Sequence, residues 1–116
     1  MQEELDATNV LVLVDHTDTD GSLWRAITVD DGSFILSGHD AGPGVERILG
    51  CREYEFEREL SPAETSRLRS LVGVAEETDV PSFLQAVAER FDSIDEFEAF
   101  LEDQGIAGSF WSQLGE

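Results

Sequence analysis

Arg52-Glu53-Tyr54-Glu55-Phe56-Glu57-Arg58-Glu59-Leu60-Ser61-Pro62-Ala63-Glu64 is the stretch in which the chain changes period. Up to Leu60 it alternates, with Glu53, Glu55, Glu57 and Glu59 on one face and Tyr54, Phe56 and Leu60 on the other, the pattern of a strand wet on one side and packed on the other. At Ser61 the chemistry becomes that of a helix start. The Ser hydroxyl can accept from an orphan N–H, Pro suits the first helical position, and Glu64 completes a capping box.

Upstream the signals are those of strands. Val10 to Val14 is an apolar, β-branched-rich run too short for a typical helix, which predicts a strand buried on both faces and central in a sheet. Asp15 to Gly21 supplies turn chemistry before a second strand over Leu23 to Val29, and Asp30-Asp31-Gly32 marks a tight turn before Phe34, Ile35 and Leu36. Three strands in an antiparallel meander follow. Gly38-His39-Asp40-Ala41-Gly42-Pro43-Gly44 reads as a loop into Val45 to Leu49, a single helical turn closed by Gly50.

Downstream the signals are those of helices. The first runs from Pro62 to about Val72 or Gly73. Val80, Phe83, Leu84, Val87 and Phe91 form the apolar stripe of a second, and Ile94, Phe97, Phe100 and Leu101 that of a third. Ser93 and Glu96 repeat the capping box, Gly105 is placed as the stop, and Ile106, Phe110 and Trp111 are expected to fold back on the core. The expected fold is therefore α+β, a four-stranded, mainly antiparallel sheet followed by three helices packed on one face. Residues 1–8 read as an acidic tail and 9–116 as a single domain, which suits 116 residues that are 41% hydrophobic.

Charge is the unusual quantity. Asp and Glu number 26 against 7 basic residues, all Arg, for a net charge of -19. This excludes phosphate-backbone binding, and with it nucleic acid as a partner. No apolar run approaches the roughly 20 residues needed to span a bilayer, and the acidic start Met1-Gln2-Glu3-Glu4 is unlike a secretory signal, so no membrane partner is expected and the cytoplasm is the expected compartment. Cys51 is the single cysteine, consistent with a reducing environment.

Catalytic and metal signatures are weak. Asp18, Asp20 and Gly21 match positions 3, 5 and 6 of an EF-hand loop, but His16 would stand at position 1 and Ile27 at position 12, where the loop needs carboxylates. His16 and His39, with Asp15 or Asp40, could bind a transition metal only if their strand ends met, and surface histidines are the simpler account. No nucleophile elbow, P-loop or dinucleotide fingerprint occurs, and the Walker lysine is missing from a chain that has no lysine at all. No catalytic residue, metal or cofactor is assigned. A small enzyme or ligand-binding site around His39, Asp40 and Cys51 is one alternative, with Arg52 placed to lower the Cys51 pKa.

The charge pattern says more. Six acidic residues and no Arg precede Arg25, and seven acidic residues and no Arg follow Arg90. Glutamates two apart on one strand face lie roughly 7 Å apart, where Coulomb repulsion in water is about 0.6 kcal/mol per pair before screening. Such a field speeds encounter with a basic protein, so Glu53, Glu55, Glu57 and Glu59 are the expected partner-binding residues of a non-enzymatic module. The other alternative is a housekeeping domain adapted to high salt, its acidity spread over all faces.

Gly38-His39-Asp40-Ala41-Gly42-Pro43-Gly44-Val45-Glu46, followed by Gly50-Cys51-Arg52-Glu53-Tyr54-Glu55-Phe56, resembles a pattern in small acidic bacterial proteins of uncharacterised function. The resemblance extends through Phe83 to Trp111 and covers roughly half the chain. In size, charge and compactness the chain is similar to immunity proteins, which neutralise toxin domains. That similarity implies an inhibitor-type binding role and brings no catalytic residue with it.

Overall fold

The computed structural model describes residues 10–50 and 53–115. Its framework is one five-stranded antiparallel sheet in the order β1-β2-β3-β4-β5, with strands Val10–Asp18, Gly21–Asp30, Ser33–Ala41, Glu53–Glu59 and Ser109–Gly115. Helix α1 (Pro43–Leu49) lies between β3 and β4. Helices α2 (Pro62–Leu71), α3 (Val80–Arg90) and α4 (Ile94–Asp103) lie between β4 and β5. The α+β class stands, but four strands followed by three helices does not: a helix interrupts the strands, and a fifth strand follows the helices.

The local signals explain most of these elements. The β2–β3 hairpin turns on Asp31 and Gly32, both with positive φ (53° and 85°), the two-residue geometry whose twist matches that of the flanking strands. Ser61 accepts from the Glu64 N–H at 3.1 Å while Glu64 accepts from the Ser61 N–H at 2.9 Å, so the box at the α2 start closes in both directions. At α4 the return bond lands one residue earlier: Ser93 accepts from Glu96 N–H, but the Glu96 carboxylate accepts from Asp92 N–H. The α4 end is a Schellman arrangement, with Gly105 N–H bonded to Glu102 C=O and Ile106 N–H to Leu101 C=O.

Three strand expectations need correction. β1 is an edge strand rather than a central one, and a register shift between Val12 and Val14 breaks its ladder with β2. The segment Gly38 to Ala41 is the end of β3 rather than a loop, because β2 and β4 pair with it on both sides. Neighbours supply the ladder bonds that its composition does not advertise. β5 is the third correction: Phe110 and Trp111 do not fold back into the core but are half exposed on a strand paired with β4. Ile106 alone of that group is buried.

All three long helices cover the same side of the sheet. Ile27, Phe34, Leu36 and Leu60 meet Leu68, Phe83, Leu84, Val87, Phe97 and Leu101 there to form the core. Phe34 is its hub: fully buried, with its ring edge-on to Phe83 at 5.9 Å and Phe97 at 5.7 Å. Its N–H donates to the buried Thr65 hydroxyl at 2.9 Å, which ties α2 to β3. Among the described residues no helix is long and apolar enough to cross a membrane.

Two stability predictions follow from this packing. A Cβ at Gly38 would overlap the Phe56 ring on the neighbouring strand, so Gly38→Ala should lower unfolding stability by about 1–3 kcal/mol in denaturant titrations. At the α3 start, the Asp79 carboxylate is held below the ordinary range, chiefly by the Ser82 backbone N–H that donates to it at 3.0 Å. A carboxylate with a depressed folded pKa stabilises the fold above its unfolded value, about pH 4, and loses that contribution as pH falls through the folded value. Asp79→Asn keeps the acceptor and removes the titration, so melting temperatures measured from about pH 5 down to about pH 2 should fall less steeply than in the parent.

Candidate functional site

The pleat of β4 sorts its side chains by charge. Glu53, Glu55, Glu57 and Glu59 are exposed on the face of the sheet opposite the long helices, while Tyr54, Phe56 and Arg58 point to the helix side. Cross-strand neighbours complete the open face. On β3, His39 stands opposite Glu55 and Ser37 opposite Glu57; on β5, Gln113 stands opposite Glu55 and Trp111 opposite Glu57. Trp24 on β2 is paired with His39. Together Trp24, His39, Glu55, Glu57 and Trp111 line a shallow depression of about 290 Å³.

The arginines of the central strands lie on the other side. Arg25 donates to Asp40 at 2.6 Å and sits over the Phe56 ring at 5.0 Å. Arg58 donates to Glu98 at 3.2 Å and to the Ala107 carbonyl at 2.8 Å, with its guanidinium 5.1 Å from the Phe110 ring centre. Both guanidiniums are satisfied beneath the sheet. His39 approaches the glutamate row as an ion-pair partner, with its Nε2 3.8 Å from Glu55 and 4.0 Å from Glu53.

The alternative site does not assemble around one point. His39 and Asp40 are consecutive on β3 and so leave opposite faces: His39 joins the glutamates, whereas Asp40 pairs with Arg25 on the helix side. Cys51 and Arg52 lie outside the described residues. His16 lies on the Asp40 side, opposite Leu23, so the two histidines do not meet. Among the described residues no three His, Cys, Asp or Glu side chains are grouped to hold a metal ion.

A second concavity, of about 500 Å³, lies between α1 and the helix-side end of the sheet. Leu23, Val45, Ile48 and Tyr54 give it apolar walls, and Ile48 is 82% exposed. The α1 helix is held over the β1–β2 turn by the Gly44 N–H bond to the Asp20 carbonyl at 2.8 Å. The carboxylates at its rim are already engaged: Asp18 with His16 at 3.0 Å, Asp20 with Arg47 at 2.9 Å, and Asp40 with Arg25. The His16 hydrogen bond, reinforced by the Asp20 N–H, holds the Asp18 carboxyl below its usual range, and the Asp20 carboxylate raises the Arg47 pKa.

Sequence reasoning missed Trp24 on the open face; for Phe110 and Trp111 it offers both a partner anchor and docking on the core, and favours the core, whereas Trp111 is half exposed. The signal for Trp111 is visible in Ser109-Phe110-Trp111-Ser112-Gln113-Leu114, which has strand-like composition after Gly108, but its partner strand is not local. No protein-family model, curated protein or solved structure matches the chain.

The separation of His39 from Asp40 can be checked by mutation. Asp40→Asn removes the charge facing a guanidinium that is 15% exposed, and should cost about 1–3 kcal/mol of unfolding stability. His39→Gln, on the open face, should change stability by less than about 0.5 kcal/mol in the same assay.

Proposed function

We propose that this chain is a non-enzymatic acidic binding protein of the inhibitor or immunity type, which receives a basic protein surface on the open face of its sheet. Glu53, Glu55, Glu57 and Glu59 are the charged contacts. The observation that carries this reading is the division of charge across β4, with glutamates exposed on one side and Arg58, like Arg25 of β2, satisfied on the other.

Several features support it. A net charge of -19 generates a long-range field that steers a cationic partner and accelerates encounter. Trp111, 49% exposed beside Glu57, together with Trp24 across His39 provides rigid aromatic area of the kind that anchors interfaces. Strands joined into one ladder hold these groups at fixed spacing, so little ordering entropy opposes docking. The resemblance to immunity proteins in size and charge points the same way. The proposed compartment is the cytoplasm, where a lone Cys51 thiol stays reduced.

Affinity capture on the immobilised chain tests the proposal. A basic protein should be retained at about 0.05 M salt and released at about 0.5 M, where the screening length is only a few ångströms. Replacing all four glutamates by glutamine should slow association about ten-fold or more at low salt and flatten the salt dependence, with no loss of thermal stability because like charges have been removed. Equal capture by parent and variant would sink the proposal.

A further inference from the structure

We propose that the basic partner adds a strand to the outer edge of β5, with apolar side chains alternating with arginine or lysine. The inference rests on the proposed engagement of a basic protein by the glutamate row, and it specifies how that protein is held.

The two edges of the sheet differ. β1 carries a ladder irregularity at Val12/Val14 and the charged residues Asp15 and Asp18, devices that discourage edge pairing. β5 carries neither. Its seven residues, Ser109-Phe110-Trp111-Ser112-Gln113-Leu114-Gly115, include no charged residue and no proline, in a chain that is 28% charged. Among the described residues β4 is its only strand neighbour, and its register with β4 is regular from Ser109 to Gly115. A regular, uncharged edge that no other described strand covers offers a row of backbone donors and acceptors to an incoming strand.

The pleat also sets the chemistry of that strand. Phe110 and Leu114, 50% and 58% exposed, lie on the helix side and Trp111 and Gln113 on the open side, so an added strand would find apolar neighbours below and an aromatic ring and an amide above. Glu55 and Glu57 stand one strand further in, roughly 10 Å from the added backbone, a gap that long cationic side chains can cross over Trp111. A second copy of this chain fits poorly. It would bring another net charge of -19 and another glutamate row against the first.

A blocked octapeptide alternating arginine and valine is the probe, with a glutamate–valine peptide as control. The arginine peptide should bind, and should slow amide exchange in residues 110–114; the control should not bind. Two further peptides carry N-methyl groups on either the arginine or the valine amides, each set lining one edge of the extended peptide. One of them should lose binding about ten-fold or more and the other should retain it, since only one edge faces β5. Retention by both would overturn strand addition while leaving charge-driven capture by the glutamate row intact, and loss by both would also overturn it. If the arginine peptide fails to bind while a basic protein is still captured in a salt-dependent way, strand addition alone falls; if capture fails as well, both proposals fall. Sedimentation of the chain alone should give a monomer, and a dimer with β5 amides protected from exchange would overturn the inference by giving the edge to a second copy.

Discussion

Side chains leave a strand on alternate sides, and β4 joins two chemistries through that rule. Its even-numbered residues Tyr54, Phe56 and Arg58 enter the region between sheet and helices, while its odd-numbered glutamates remain in water. The register of β4 against β3 and β5 is therefore fixed by the cost of the alternative. A slip of one residue would bury a row of carboxylates beneath α4 and expose Phe56, and unpaired buried charge is far more costly than the repulsion the row endures in solvent.

The same constraint organises the arginines. Arg25 and Arg58 reach the helix side of the sheet, where each combines a carboxylate with an aromatic ring: Arg25 uses Asp40 and Phe56, Arg58 uses Glu98 and Phe110. Arg69 follows a related pattern, donating to the Ala75 and Thr78 carbonyls above the Phe83 ring. A planar guanidinium suits these positions because it donates in-plane hydrogen bonds and stacks its face on a ring at once, which an ammonium does not. Engaging these cations within the fold keeps their charge off the open face.

The core lies on one side of the sheet only. Phe34 and Leu36 are fully buried under the helices, while the opposite face keeps exposed glutamates, His39 and Trp111. Antiparallel sheets tolerate this asymmetry because one face alone can supply a core. A rigid face that is not needed for packing is free to recognise something else, and β5 extends that face to an edge with few of the usual safeguards against pairing.

Local chemistry determined a large part of this molecule. The Asp31-Gly32 turn, the Ser61 and Ser93 caps, the stop at Gly105 and the glutamate face of β4 are all readable from neighbours within a few residues, because hydrogen-bond caps, turn dihedrals and two-residue periodicity are short-range effects. Tertiary structure decided the rest. The apolar run at Val10 to Val14 could not reveal that it would form an edge, the composition of Gly38 to Ala41 hid a strand sustained from both sides, and Ser109 to Gly115 became a strand only because the helices return it to the free side of β4. A strand is completed by partners distant in sequence, and no stretch of chain contains the hydrogen bonds that another stretch must provide.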